Sequence, residues 1–221
     1  MPTEVAYYPI ALELTGRSCL VIGGGPVAER KIEGLLTAEA MVTVISPALT
    51  PRLEEWAITG QIRHIGRAYR PGDLAGAQLV FAASDDQGVN AAVSREGQER
   101  RVWVNAADDP AHCDFILPAI LRRGELIVAT TTGGASPALA AVVRDELETV
   151  LGPDYTVLAQ VAAEVRQELR ARQLSLTGEH WRRALRLDAL RRLIQEGRVQ
   201  EAKAYLLERL EEGGDSHAET V

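Results

Sequence analysis

The sequence predicts an α/β fold: a doubly wound parallel sheet, then a β-hairpin and helix region, then an all-helical C-terminal domain. Three observations predict it. Short apolar runs alternate with helix-periodic segments as far as residue 104, the pattern of consecutive βαβ units. Those runs are continuously apolar, as in parallel strands covered on both faces. After Gly152-Pro153 the β-rich runs stop and only helix-periodic segments follow. The implied division is 1–113 for the sheet domain, 114–152 for the hairpin-and-helix region, 153–212 for the helical domain and 213–221 for a disordered acidic tail.

The lead-in Tyr7–Leu14 is expected to pack on the sheet edge. Cys19–Ile22 is the first strand and runs directly into Gly23-Gly24-Gly25. Pro26 opens a helix at the position where a missing N–H costs little, with Ala28, Ile32, Leu35 and Leu36 as its apolar stripe. Gly23, Gly25 and Ala28 fit G-x-G-x-x-G/A, the turn that brings backbone N–H groups up to a dinucleotide pyrophosphate at a helix N-terminus. A plain tight βα turn could carry the same glycines, so the strand–turn–helix context is what points to nucleotide binding. On it the sheet domain reads as Rossmann-like.

Met41–Ile45 is the second strand, ended by Ser46-Pro47. Dinucleotide folds often place an acid here for the ribose 2′-hydroxyl. This chain has neither an acid to repel a 2′-phosphate nor an arginine to grip one, and NAD is taken as the expectation. Pro51–Ile58 reads as a helix, Ile62–Ile65 as the third strand and Gln78–Ala83 as the fourth, delivering Ser84-Asp85-Asp86 to the crevice at the strand ends. His64, inside the third strand, is expected to be structural. A helix over Gln87–Arg100 and a fifth strand, Val102–Val104, follow, and Asn105-Ala106-Ala107-Asp108-Asp109-Pro110 comes at its end.

Phe115–Leu121 and Leu126–Thr131, joined through Arg122–Glu125, are expected to pair antiparallel. Such a hairpin needs another surface to cover it, and dimerisation is the expected answer. Ser136 and Pro137 then open a helix whose buried face is expected to be Leu139, Val142, Val143, Leu147 and Val150. The preceding Thr132-Gly133-Gly134 reads equally as an anion nest or as a plain flexible loop. Tyr155–Leu174, Gly178–Gln195 and Arg198–Leu210 read as three helices, and their crowded arginines as solvated faces.

The net charge of −7 argues against a nucleic-acid surface, which wants a positive field, but not against an anionic small molecule held by local arginines. No apolar run approaches the ~20 residues of a membrane span and no signal-like segment opens the chain, so no membrane contact and a cytoplasmic location are expected. Two cysteines, Cys19 and Cys113, make no disulfide framework. His112, Cys113 and Asp114 are adjacent in one loop and seldom converge on one ion, so no metal site is expected. Asp108 and Asp109 follow the fifth strand and are expected to face the crevice. From position alone Asp108 is as well placed to take a proton beside a nicotinamide as to cap a turn.

Taken in order, Val21–Lys31, Ala83–Asp86, Val104–Asp108, Phe115–Ala119 and Thr132-Gly133-Gly134-Ala135-Ser136-Pro137 resemble the siroheme synthase N-terminal family, in its short form. The family comprises precorrin-2 dehydrogenases, some of which are also sirohydrochlorin ferrochelatases. The likeness is strong over residues 5–150 and loose beyond. It implies NAD-dependent oxidation of precorrin-2 to sirohydrochlorin on the siroheme or cobalamin route, by a homodimer whose dimerisation region is 114–152. It implies cofactor contacts at Gly23, Gly24, Gly25, Pro26, Val27, Ser46, Pro47, Ala48, Ser84 and Asp85, and Asp108 as general base. Tetrapyrrole contacts are expected at Asn105, Thr132, Gly133, Gly134 and Arg144, with Arg122 and Arg123 as further candidates for the substrate carboxylates. Thr132 stands where relatives often carry a serine that can be phosphorylated. It keeps the hydroxyl but puts that regulation in doubt. No methyltransferase domain follows, so another protein is expected to make precorrin-2. The alternatives are a bifunctional enzyme that also inserts Fe²⁺ and, from a different class, a non-catalytic NAD-binding redox sensor.

Overall fold

A computed structural model describes residues 6–107 and 113–214 of the chain. It forms two compact units, 1–117 and 118–221. Asp108, Asp109 and His112 lie outside the described residues, as do 215–221 at the end of the acidic tail.

The first unit contains β1 (Ser18–Ile22), α1 (Pro26–Thr37), β2 (Met41–Ile45), α2 (Pro51–Ile58), β3 (Ile62–Ile65), β4 (Leu79–Ala82), α3 (Gln87–Arg100) and β5 (Trp103–Ala106). All five strands are parallel, in the order β3-β2-β1-β4-β5. Alternation along β1 shows why these runs are apolar throughout. Cys19 and Val21 join Ala28, Ile32, Leu35 and Leu53 of α1 and α2 on one face, while Leu20 and Ile22 join Val93 of α3 on the other. β5 is longer at its C-terminal end than the sequence predicts. Its ladder with β4 continues through Phe81↔Asn105 and Ala82↔Ala106, which places Asn105 inside the strand.

In the second unit, β6 (Ala119–Arg123) and β7 (Leu126–Thr130) pair antiparallel, as expected. The ladder takes in Arg122 and Arg123, which the sequence assigned to the connection. Only Gly124-Glu125 turn the chain, with Gly124 at φ +60. β6 starts at Ala119 because Pro118 has no N–H to give a ladder. Phe115, still within the first unit, packs edge-on against Phe81 of the same unit, ring centroids 5.5 Å apart.

α4 (Pro137–Val150) forms as expected, with the Ser136 hydroxyl accepting the Leu139 N–H, but its predicted buried face is wrong. Leu139 and Val142 are 53% exposed and Val150 is 60% exposed. Of that face Leu147 is half-buried, and it is Ala140 and Arg144 that join it on the inward side. A two-stranded ribbon is narrow, so it covers one line of a helix and leaves the flanking apolar residues outside.

The helical region has four helices where three were expected: α5 (Asp154–Ala171), α6 (Gly178–Ala184), α7 (Leu187–Gln195) and α8 (Val199–Gly214). The expected helix over 178–195 breaks at Leu185 and Arg186, whose ψ angles of 77 and 87 are non-helical, and the Arg186 N–H turns back to the Ala184 carbonyl. Leu158, Val161, Val165 and Leu169 of α5 meet Leu190, Leu206 and Leu210 in a separate core. No helix among the described residues is long and apolar enough to cross a membrane.

Candidate functional site

The site is built at the C-terminal ends of the strands, where the strand order reverses between β1 and β4. Gly23 follows β1 at φ +120 and donates its N–H to the Ile45 carbonyl at 3.0 Å. A Cβ here would stand 2.2 Å from the Ala83 carbonyl oxygen, so both backbone and neighbour demand glycine. At Gly24 a Cβ would lie 2.1 Å from the Ala48 carbonyl oxygen and 2.8 Å from Ser46 Oγ. The Thr50 N–H donates to the Gly24 carbonyl at 2.9 Å, clamping the loop after β2 onto the turn.

Gly25 differs, because nothing lies within 4 Å of where its Cβ would be. It is the N-cap of α1 and no side chain caps that helix. Pro26 has no N–H, and among the described residues no acceptor takes the N–H groups of Gly25, Val27 or Ala28. Open space in front of unpaired donors at the positive end of a helix dipole fits the diphosphate of a dinucleotide.

Ser46, Pro47 and Ala48 wall the turn on one side. The Ser46 hydroxyl donates to the Ala48 carbonyl at 2.7 Å, and His64 Nε2 lies 2.9 Å from the Ser46 carbonyl. A carbonyl only accepts, so Nε2 carries the proton in that contact, and His64 holds this loop in place. On the other side, Val27, Ala83, Ser84, Asp85, Asn90 and Ala107 line a cleft of about 430 Å³. Asp86 caps α3 by accepting the Gly88 N–H at 2.7 Å. Buried Asn90 accepts the Ser84 N–H at 3.1 Å and donates to its carbonyl at 2.8 Å, holding Ser84 at the mouth. Sequence reasoning missed Asn90. Its signal was a polar residue on the same helix face as Val93.

Asn105 sits on the α1 face of the sheet, with Val104 and Ala106 on the opposite one. Its Oδ1 accepts from Lys31 Nζ at 2.8 Å, and its Nδ2 donates to the Phe115 carbonyl at 2.9 Å. Lys31 Nζ also stands 4.9 Å above the Phe81 ring. This bridge ties α1 to the end of β5 and to the segment beyond Asp108. Lys31 was absent from the expected site. Asp114 is fixed beside β5, its carboxylate accepting the Val104 N–H and its own N–H donating to the Val104 carbonyl, both at 2.8 Å, and Cys113 Sγ donates to the Ala106 carbonyl at 3.1 Å.

Two charged pairs, on α3 and on the connection from β3 to β4, were also missed by the sequence reading. Glu96 on α3 accepts from the Tyr69 hydroxyl at 2.5 Å, from the Gly72 and Leu74 N–H groups and from Arg100 Nε at 2.6 Å. Burial pushes its carboxyl up, but these four donors outweigh burial and hold it below the usual carboxylate range. Arg67 grips Asp73 through two contacts of 2.7 Å, which holds the Asp73 carboxyl low. Both pairs fix the long connection between β3 and β4.

The structure gathers Gly23, Gly24, Gly25, Pro26, Val27, Ser46, Pro47, Ala48, Ser84 and Asp85 around that crevice, with Asn105 on the neighbouring strand. Asp108 is outside the described residues. Thr132, Gly133, Gly134 and Arg144 belong to the second unit. There the Thr132 hydroxyl accepts the Ser136 N–H at 2.8 Å and donates to the Ser136 carbonyl at 3.0 Å, pinning the loop to the start of α4. Gly133 and Gly134 have φ of +65 and +89. Arg144 Nε donates to Asp145 at 2.7 Å. Arg123 donates to the Leu151 carbonyl at 2.8 Å and to Glu148 at 3.1 Å, closing the C-terminal end of α4.

The reversal of strand order, the glycine turn and the uncapped helix define a nicotinamide-dinucleotide-binding domain. Accordingly, residues 10–119 match the family model described as "Putative NAD(P)-binding". The chain is 46% identical over 164 residues to the siroheme synthase of Methylobacillus flagellatus, covering 74% of this chain and 35% of that protein. It is 39% identical over 209 residues to that of Nitrosococcus oceani, covering 94% and 44%, and 40% identical over 204 residues to that of Methylococcus capsulatus, covering 91% and 43%. Among solved structures it is similar to SirC, a precorrin-2 dehydrogenase, with TM-score 0.69 and 28% identity over 93% of this chain and 100% of that one. The chain belongs to the siroheme synthase N-terminal family. It spans less than half the length of the curated relatives it matches.

Proposed function

We propose that the chain catalyses NAD-dependent dehydrogenation of precorrin-2 to sirohydrochlorin, with Asp108 as general base. The observation that carries this is the likeness to SirC, which covers all of that enzyme and enough of this chain to include both units. The open cradle at Gly25 and the cleft at Ser84-Asp85 support it locally.

In the forward direction the substrate loses a hydride and a proton. NAD, when bound, supplies the hydride acceptor. The N–H groups of Gly25, Val27 and Ala28 would hold its diphosphate, and Ser84 and Asp85 would contact it from the cleft. Arg52 is engaged by Glu33 and Glu29, and Arg67 by Asp73, so neither arginine is left to grip a 2′-phosphate; that supports NAD over NADP. Asp108 takes the proton, and the Lys31–Asn105 bridge holds the strand that leads to it. The Thr132-Gly133-Gly134 loop meets the carboxylates of the tetrapyrrole, and Arg144 joins it by exchanging its solvent-exposed neighbour Asp145, a weak surface pair, for a substrate carboxylate. The apolar residues left outside on α4 and the hairpin support a homodimer.

The test is to mix the protein with precorrin-2 and NAD and follow the NADH absorbance band. The wild type is expected to produce NADH. Asp108→Asn is expected to lose activity by about 10²–10⁴-fold, the usual worth of a positioned base, while its NAD dissociation constant stays within about twofold. An Asp108→Asn protein of normal activity removes the base, and a wild type that makes no NADH removes the whole reading. Fe²⁺ added to the product then reads the chelatase activity that the family resemblance also implies, through the appearance of siroheme.

A further inference from the structure

The helical unit carries a groove of about 670 Å³, formed by α5, the segment after it and α6. Ala162, Leu174, Leu176 and the indole of Trp181 make its apolar lining, and Arg166 and Arg170 stand at its rim. The two arginines are four residues apart on α5, so they share one helix face at roughly 5–6 Å spacing. Among the described residues neither has a carboxylate partner, and no carboxylate lines the groove.

The neighbouring acids are all taken elsewhere. Glu164 and Glu168 face Lys203 at 3.1 and 3.5 Å, Glu168 also pairs with Arg172, and Glu179 pairs with Arg183. On a chain of net charge −7 this leaves a locally cationic rim over an apolar floor, with an indole to stack against. A small anion would use the arginines but not the floor, and a neutral apolar molecule would use the floor but leave the arginines idle. A flat ring system with adjacent carboxylate side chains uses both.

We propose that this groove is a second tetrapyrrole-binding site, separate from the crevice at the strand ends. Arg166 and Arg170 grip neighbouring carboxylates while the macrocycle lies on Leu174, Leu176 and Trp181. The choice of a tetrapyrrole, among flat polycarboxylates, rests on the proposed dehydrogenase function.

The experiment titrates the full chain with uroporphyrin, a stable polycarboxylate porphyrin, by calorimetry and by quenching of Trp181, read as the difference between wild type and Trp181→Phe. The wild type is expected to bind two molecules per chain, and Arg166→Ala/Arg170→Ala to bind one. The Trp181 signal should weaken at least about tenfold in apparent affinity, and Arg166→Lys/Arg170→Lys should fall between. NADH production by the double alanine variant should stay within about twofold of wild type. Citrate, which carries the charge without the ring, should fail to displace the porphyrin. Unchanged stoichiometry and quenching in the alanine variant overturn the site, and efficient displacement by citrate overturns the role of the apolar floor. If the dehydrogenase reading alone fails, NADH is not produced but the arginine-dependent quenching persists.

Discussion

The first and last of the three consecutive glycines at the end of β1 do different things, and substitution separates them. Gly23→Ala forces a Cβ against the Ala83 carbonyl at a backbone angle that L-residues avoid, and should cost about 1–3 kcal/mol of stability in urea unfolding. Gly25→Ala meets nothing in the folded chain, so unfolding should barely change, while the NAD dissociation constant should rise about tenfold as the methyl enters the diphosphate space. Equal effects of the two on stability would contradict this division. Glu96 sets a pH dependence. Its folded value is lowered, so its contribution is complete above the unfolded value near about 4.3 and is lost as pH falls through the folded one. Glu96→Gln should lose about 1–3 kcal/mol at neutral pH and flatten the acid limb of the stability curve, measured by urea midpoints across pH 3–7.

At the scale of elements, the strands and helices of the sheet domain were legible because each carries a local signal. β2, β3, α1, α2 and α3 fall where apolar runs, Pro26, Pro51 and the glycine turn put them. α4 was equally legible as a helix but not in its buried face. Its apolar stripe is real but stays exposed among the described residues, because periodicity reports that a face is apolar without saying what meets it. On the proposed homodimer, Val142→Asp should convert a dimer to a monomer in sedimentation while leaving helix content unchanged. A variant that stays dimeric would move the interface elsewhere. The break at Leu185-Arg186 left no signal, since both residues are good helix formers.

At the scale of the molecule, apolar burial among the described residues falls into separate cores, two flanking the sheet and one among α5–α8. Leu206 is fully buried in the last of these. Leu206→Ala should therefore lower stability by about 2–5 kcal/mol yet leave the NAD dissociation constant unchanged, since no residue of that core belongs to the glycine turn. The chain's own order of residues already carried the βαβ alternation, the glycine turn and the polar residues at the strand ends, because each rests on contacts between near neighbours. The Lys31–Asn105 bridge, the Asn90 clamp on Ser84, the four-donor cage of Glu96 and the unpaired arginines of the α5 groove emerged only once the chain was folded. Each depends on which distant side chains become neighbours, and a lone Lys, Asn, Glu or Arg has the same appearance in sequence whether it is solvated, paired or poised for a ligand.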